Sequence, residues 1–334
     1  MAVNVQSWLK ADPQGIYLPG PDAWVDPSHP VARAIITHGH SDHARGGHGE
    51  VWATAETLAI MAVRYGPQPG GMPLAYGERI EIGGVGVSLH PAGHVLGSAQ
   101  VRLEREGQVA VVSGDYKRAF DPTCEPFEVQ PCDVFITEAT FGLPVFVHPV
   151  AVDEIARALA RLQASDGRCL LIGAYALGKA QRVIALLRAC GWHRPVYLHG
   201  AVEKLCALYQ EQGIDLGELR PVAGLKADAL VGEVVIAPPS ALQDRWSRRL
   251  PDPITAMASG WMMVRARARQ RGVELPLIIS DHAGWDELTR TLLEVAPREV
   301  WVTHGREDAL MHWCALHQIK ARALHMVGRD DDDD

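Results

Sequence analysis

The sequence predicts an α/β protein, because apolar stretches of strand length alternate with amphipathic stretches of helix length. The alternation is regular from Ala151 onward, where apolar residues between Val152 and Leu162 mark an amphipathic helix and a strand follows at residues 169–172. Such alternation is typical of a parallel α/β unit. A chain of 334 residues is also long enough for two domains.

The composition excludes several classes of protein. Hydrophobic residues make up 47% of the chain and charged residues 22%, as in ordinary globular proteins, and no apolar run reaches the length of a membrane span. Residues 1–20 lack the basic and apolar segments of a secretory signal. The six cysteines form no C-x-x-C pair, so we expect reduced thiols in a cytoplasmic protein with no membrane partner. The net charge of −8 argues against charge-driven coating of nucleic acid.

The first half of the chain predicts mostly strands. In order, we expect a short strand before Pro27, a strand ending at Ile36, a helix at 54–64, a strand at 85–89, a hairpin of 101–104 with 108–112, and a strand at 133–137.

The second half predicts alternating strands and helices. After the strand at 169–172 come a helix at 179–190, a strand at 196–198, a helix at 201–212, strands at 234–236 and 277–280, a helix at 285–295, a strand at 300–303 and a helix at 306–320. The run of five aspartates at 330–334 predicts a disordered acidic tail over residues 328–334.

Five residues suited to catalysis or metal binding lie within a few positions of the end of an apolar strand: His38, Asp115, Glu138, His282 and His304. Because packed strands place their ends on a common edge, these side chains can converge there. A histidine of the core would instead lie inside a strand, and we expect none of these residues to do so.

The densest group of potential ligands is His38-Gly-His40-Ser-Asp42-His43. His38 and His40 are two positions apart, so an extended chain points both the same way. Asp42 and His43 follow where the chain must turn, and they can face a second metal ion. Imidazole nitrogens and carboxylate oxygens suit zinc, manganese or iron.

These residues resemble known motifs. His38 to His43, His94 and Asp115 resemble the metal motifs of the metallo-β-lactamase fold, and Glu138-Ala-Thr-Phe-Gly142, His282 and His304 resemble the three additional motifs of the β-CASP nucleases. Residues 173–180 and 258–261 are similar to segments of the Artemis-type DNA nucleases. The resemblance spans roughly residues 17–327, and the pattern as a whole is most similar to the bacterial DNA ligase-associated exonucleases.

The resemblance implies a particular fold and domain arrangement. We expect an αββα metallo-β-lactamase sandwich, formed by residues 1–149 and 266–327, with an inserted α/β β-CASP domain at residues 150–265.

The resemblance also implies two divalent metal ions, zinc or manganese. One ion would take His38, His40 and His94, the other would take Asp42, His43 and His304, and Asp115 would bridge them. Two cations about 3.5–4 Å apart can stabilise both the attacking and the leaving oxygens of a phosphodiester. Artemis-type eukaryotic nucleases usually have an apolar residue where His304 stands, so this histidine is a departure that favours a complete second site.

Further roles are implied for single residues. Asp42, Glu138 and His282 would be catalytic, with Glu138 orienting His282 as a general acid; the alternative is a buried polar pair that only ties the sheets together. Asp26 has two interpretations, a turn-forming residue before Pro27 or a carboxylate that orients a ligand histidine.

Three residues are candidates for binding a terminal 5′-phosphate: Tyr175, Lys179 and Ser259. A solvated helix residue is the alternative interpretation of Lys179. Arginines at 245–249 and 265–271 concentrate positive charge, either as a groove for a single-stranded backbone or as one face of an exposed segment.

The resemblance therefore predicts a metal-dependent DNA exonuclease that acts from 5′-phosphorylated single-stranded ends in DNA repair, in functional association with a DNA ligase and a helicase. One alternative is an RNA-processing β-CASP ribonuclease. Another is a small-molecule lactonase or thioesterase, which would not need the extra domain or the Glu138 and His282 pair. A non-catalytic scaffold would be indicated by a missing ligand, and none is missing.

Overall fold

A computed structural model describes residues 5–326 of the chain. The acidic run for which a disordered tail is predicted, residues 328–334, lies outside the described residues. The chain divides into two compact units. Among the described residues, the first unit contains residues 5–147 and 282–326, and the second unit runs from His148 to Asp281.

The described residues form seven α-helices and nineteen strands. The helices are α1 (Ala55–Tyr65), α2 (Ala151–Gln163), α3 (Lys179–Ala189), α4 (Gly200–Glu211), α5 (Arg265–Arg271), α6 (Trp285–Val295) and α7 (Glu307–Leu316). The strands are β1 (Lys10–Asp12), β2 (Gly15–Leu18), β3 (Ala23–Val25), β4 (Arg33–Ile35), β5 (Glu50–Ala53), β6 (Gly71–Pro73), β7 (Arg79–Ile82), β8 (Val85–Pro91), β9 (Ala99–Arg105), β10 (Gln108–Val112), β11 (Val134–Ala139), β12 (Leu170–Gly173), β13 (Val196–Leu198), β14 (Leu219–Pro221), β15 (Val234–Ala237), β16 (Ile254–Ala258), β17 (Leu275–Leu277), β18 (Glu299–Gly305) and β19 (Lys320–Ala323).

The first unit contains two sheets that share one apolar core. Strands β1 to β6 form a sheet in sequence order, and the second sheet has the order β19-β18-β11-β10-β9-β8-β7. Ile16 and Ile35 of the first sheet belong to the same buried cluster as Val101 and Ile136 of the second. The alternate residues of the strands face the other way, as the two-residue period of a strand requires.

Helices cover the outer faces of these two sheets. Met61 of α1 packs with Ile36 and Val51 against the first sheet. Leu292 of α6 and Leu310 of α7 pack against the second sheet. The side chains of Met61, Leu292 and Leu310 are thereby buried.

The second unit is built on a parallel six-stranded sheet of order β14-β13-β15-β12-β16-β17. The chain returns to the first unit at His282 rather than at residue 266. The physical reason is strand pairing, since β17 adds to the edge of the second unit's sheet through β16.

The structure corrects four expectations about single elements. Glu138 lies inside β11 and His304 inside β18, not beyond their ends, because the pairing of the two strands continues past a register shift to Ala139 and Gly305. The predicted strand at 277–280 ends at Leu277. The predicted last helix at 306–320 ends at Leu316, and β19 follows it. The exposed segment with alternating arginines is a helix, α5.

All six cysteines are free thiols, and Cys169, Cys206 and Cys314 are buried. Among residues 5–326, none of the helices combines the length and the apolar character that a bilayer crossing requires.

Candidate active site

Three of the predicted ligands of the first unit lie in loops that directly follow strands. His38, His94 and Asp115 each follow the last residue of a strand, β4, β8 and β10 respectively, by three positions. Gly114 adopts a φ of 57°, and a Cβ added to it would lie 2.7 Å from the Cβ of Thr37. Glycine at this position therefore allows the loop that carries Asp115 to approach the loop that carries His38.

The first cluster consists of His38, His40, His94 and Asp115, whose ligand atoms all lie within 4.8 Å of one another. The Nε2 of His94 is 3.0 Å from the Nδ1 of His40, and the Oδ2 of Asp115 is 3.3 Å from the Nε2 of His38. Three of the four residues are buried, and His40 is half-buried. The structure thus brings together the three histidines predicted for one metal ion.

The second cluster consists of Asp42, His43 and Asp115, again with ligand atoms within 4.8 Å. The Nε2 of His43 lies 3.3 Å from the Oδ2 of Asp42 and 3.3 Å from the Oδ2 of Asp115. His304 approaches the other oxygen of the shared carboxylate, with its Nε2 3.5 Å from Asp115 Oδ1. It groups with Asp115 and Glu138 rather than with Asp42 and His43.

Asp26 lies directly behind the second cluster. Its Oδ2 is 2.7 Å from the Nδ1 of His43 and accepts a hydrogen bond of 2.6 Å from the hydroxyl of Thr37. Its Oδ1 accepts the Thr37 backbone N–H at 2.8 Å. A carboxylate in this position holds the proton on Nδ1 and leaves the Nε2 of His43 to face Asp42 and Asp115.

Glu138 and His282 form a buried pair, with Glu138 Oε2 2.9 Å from His282 Nδ1. The same oxygen accepts a hydrogen bond of 2.6 Å from the Thr140 hydroxyl, and Oε1 accepts the Tyr116 N–H at 2.8 Å. The ring of His282 is centred 4.7 Å from the ring of His94. The carboxylate of Glu138 thus contacts His282, Thr140 and Tyr116, and it also groups with Asp115 and His304.

Burial sets the ionisation of the clusters. It lowers the pKa of His38 and takes the pKa of His94 well below its usual range, and neighbouring imidazoles act in the same direction. Burial, the largest single influence, raises the pKa of Asp42 and Asp115, but the interactions with His43 and His38 together outweigh it and both pKa values lie below the ordinary range. Neutral imidazoles and ionised carboxylates are the forms that ligate cations.

A divalent cation fits this donor set. Asp42 Oδ1 and Asp115 Oδ1 are buried oxygens that receive no hydrogen bond within residues 5–326. Buried carboxylate oxygens without donors are costly unless a cation compensates them. Imidazole and carboxylate ligands together suit zinc and manganese, and they do not distinguish between the two.

The three residues predicted to bind a phosphate lie in the second unit. Lys179 begins α3 and is 1% exposed; its Nζ donates to the Ile279 carbonyl at 3.0 Å and lies 3.3 Å from Asp281 Oδ2. Ser259 is buried, and its hydroxyl accepts the Trp261 N–H at 3.2 Å. Tyr175 is half-buried. Lys179 is therefore engaged within its own unit, which excludes the alternative interpretation of a solvated helix residue.

Sequence reasoning missed several residues that support the site. The hydroxyl of Thr37 contacts Asp26, and the hydroxyl of Thr140 contacts Glu138. The side chain of Lys117 donates to the carbonyl of His282. Thr37 and Thr140 stand within two residues of predicted site residues, so a supporting role could have been predicted from their position in the sequence. No local sequence pattern predicts the contact of Lys117 with His282.

Comparisons with known proteins give relatives with nuclease and ligase names. The chain is 33% identical over 296 residues to a protein named "Probable DNA ligase" from Opitutus terrae, a match that covers 87% of this chain and 28% of the relative. It is 30% identical over 200 residues to Ribonuclease TTHA0252 from Thermus thermophilus, covering 50% of this chain and 46% of the relative. It is 29% identical over 136 residues to RNase aCSPSF2 from Saccharolobus solfataricus, a match that covers 39% of this chain and 27% of the relative.

The chain thus spans less than half the length of each of these relatives. No protein-family model matches the sequence. A crystal structure of a protein of unknown function from Enterococcus faecalis V583 is similar in fold, with a TM-score of 0.52, 14% identity, and coverage of 82% of this chain and 75% of that one. The mixed α/β architecture and the ribonuclease relatives are consistent with a metallo-β-lactamase and β-CASP fold.

Proposed function

We propose that this protein is a metal-dependent nuclease that hydrolyses phosphodiester bonds of DNA from 5′-phosphorylated single-stranded ends. The observation that carries the proposal is the convergence on Asp115 of two ligand clusters beside the Glu138 and His282 pair. We infer that the first unit is an αββα sandwich, since its two sheets share a core and helices cover both outer faces.

The proposed metal ligands divide around one carboxylate. Asp115 Oδ2 lies 3.3 Å from both His38 and His43, so the two ligand clusters share this oxygen. His38, His40 and His94 would hold one cation, and Asp42, His43 and His304 the other. When bound, divalent cations activate water and neutralise charge on a phosphodiester.

Glu138 and His282 would handle the proton of the leaving group. Glu138 Oε2 keeps a proton on His282 Nδ1 and stabilises the imidazolium, so the Nε2 can release a proton to the leaving 3′-oxygen. The ring lies beside His94, which places it next to the first ligand cluster. A pair that only tied the sheets together would not need to lie there.

Exposed arginines of the second unit support binding to a phosphate backbone. Arg245, Arg248 and Arg249 are exposed, and the Gln243 side chain donates to the Arg271 carbonyl at 2.8 Å, so this segment adjoins the end of α5. The alternating arginines of α5 do not form one face, because residues two apart on a helix point in different directions. Exposed arginines in a chain of net charge −8 suit a local contact with polyanions.

The terminal phosphate contacts stay a prediction. Tyr175 and Ser259 keep the proposed role, and Lys179 would have to exchange Asp281 for a phosphate to take part. Functional association with a DNA ligase and a helicase is part of the proposal, and the relative named "Probable DNA ligase" supports it.

The second candidate is a ribonuclease, which the names of the Thermus and Saccharolobus relatives favour. One digestion series separates the candidates. End-labelled single- and double-stranded DNA and RNA, each with and without a 5′-phosphate, are incubated with manganese, zinc or magnesium. We expect stepwise digestion of 5′-phosphorylated single-stranded DNA. Digestion of RNA alone would replace the DNA proposal, and intact oligonucleotides in every tube would contradict a nuclease.

A further inference from the structure

The short segment Asp115-Tyr116-Lys117 joins the ligand clusters to the Glu138 and His282 pair. Asp115 is the shared member of the clusters, and the next residue, Tyr116, donates its N–H to Glu138. The carbonyl of Tyr116 accepts the N–H of Ala283 at 2.7 Å. The main chain on the carboxyl side of His282 is therefore bound to this segment.

Lys117 holds the carbonyl of His282 itself. Its Nζ donates to the His282 oxygen at 3.0 Å and to Glu287 Oε2 at 2.7 Å. Lys117 is 4% exposed and Glu287 8% exposed. The two residues are 170 positions apart, so the pair connects the loop after β10 to the first turn of α6.

Glu287 is itself fixed by two further donors. Its Oε1 accepts the Ala119 N–H at 2.6 Å, and its Oε2 accepts the Gly284 N–H at 2.9 Å. Burial would raise the pKa of Glu287, but Lys117 and these backbone donors bring it below the ordinary value, so the carboxylate is charged. Glu287 thereby holds the ammonium of Lys117 at the position from which it contacts the His282 carbonyl.

We propose that Lys117 is a positioning residue that fixes the His282 backbone so that the ring keeps its hydrogen bond to Glu138 and faces the ligand clusters. This inference rests on the proposed function, in which His282 transfers a proton. A purely structural explanation assigns Lys117 the single task of neutralising the buried Glu287. The two explanations differ in the activity expected when the charges on Glu287 and Lys117 are removed together. The structural explanation predicts wild-type activity, and the positioning role predicts a loss.

The test uses the paired variant Lys117→Met/Glu287→Gln, which removes both buried charges at once, because Lys117→Met alone would leave Glu287 without its cation. A matched control is Arg118→Met/Glu294→Gln, since Arg118 pairs with Glu294 of the same helix at 2.6 Å. The folded state of each variant is checked by thermal unfolding. We expect the Lys117 pair to lower kcat by about tenfold to a hundredfold with KM unchanged, and the control pair to keep the wild-type rate.

The same paired change in a His282→Ala background provides the decisive cycle. If Lys117 acts through His282, it has no imidazole to position in this background. We therefore expect the paired change to alter kcat by less than about twofold. An equal loss in both backgrounds, or a wild-type kcat for the Lys117 pair, would overturn the proposal.

An independent readout covers the case in which the wild-type protein cleaves no phosphodiester and the proposed function fails. The Nδ1–H proton of His282 is identified in NMR spectra by its absence from His282→Ala. We expect this proton to lose its protection from exchange in the Lys117 pair and to keep it in the Arg118 control. Full protection in the Lys117 pair would exclude the positioning role whatever the reaction is.

Discussion

Glu138 Oε2 lies 2.9 Å from His282 Nδ1, although 144 positions separate the two residues in the chain. The ring of His282 in turn lies against that of His94, a member of the first ligand cluster. A buried carboxylate that orients an imidazole beside a cation site is an arrangement suited to proton transfer.

The first prediction concerns this histidine. His282→Ala should lower the single-turnover rate of phosphodiester cleavage by about a hundredfold or more, the usual contribution of a general acid. Metal content should be unchanged, since His282 is not a proposed ligand. The control is His90→Ala, because His90 hydrogen-bonds to Ser88 and Glu128 and belongs to none of the ligand clusters found among residues 5–326. A wild-type rate, or an equal loss of metal, would count against proton transfer.

The second prediction concerns Asp26. Asp26→Asn should weaken metal binding by about tenfold to a hundredfold, because the amide cannot hold the His43 proton as the carboxylate does. Asparagine tolerates the φ of 47° at this position. Asp22→Asn is the control, since Asp22 has a φ of 51° but is exposed and accepts a hydrogen bond from Tyr17. Competition titration with a metal-binding dye measures the metal affinity of each variant. If Asp26→Asn binds metal as tightly as Asp22→Asn, Asp26 serves the turn alone.

The third prediction concerns pH. The folded-state pKa values of His38 and His94 lie below that of an unfolded histidine, about 6.5. The unfolded chain therefore binds more protons below that pH, and the metal-free protein should lose stability as the pH falls from 6.5. Urea unfolding of the chelated protein between pH 7.5 and 5 measures the slope. His94→Asn should flatten it, and an unchanged slope would contradict a buried neutral His94.

Much of the site follows from the sequence because its ligands are adjacent in the chain or stand near strand ends. His38 to His43 supply four candidates within one loop, and Asp115 follows a strand that is apolar after its first residue, Gln108. The hairpin of β9 with β10 and the boundaries of α6 follow from apolar periodicity alone.

Other parts depend on contacts that no local pattern records. The Lys117 and Glu287 side chains each resemble ordinary solvated charges in the sequence, and only the fold buries them together. The placement of Glu138 and His304 inside strands depends on pairing between β11 and β18 that continues past a register shift to Ala139 and Gly305, which apolar alternation cannot encode. The burial of Lys179 against Asp281 likewise depends on a contact across about a hundred residues.

We propose above all that Asp115 and the six other ligand side chains around it hold divalent cations that support phosphodiester cleavage. The most direct test compares wild-type protein and Asp42→Ala, both stripped with chelator and reloaded with manganese, on one 5′-phosphorylated, labelled single-stranded oligonucleotide. We predict cleavage by the reloaded wild type and none by the stripped wild type or by reloaded Asp42→Ala with its fold intact. Cleavage by Asp42→Ala at the wild-type rate, or by the stripped protein, would contradict the account.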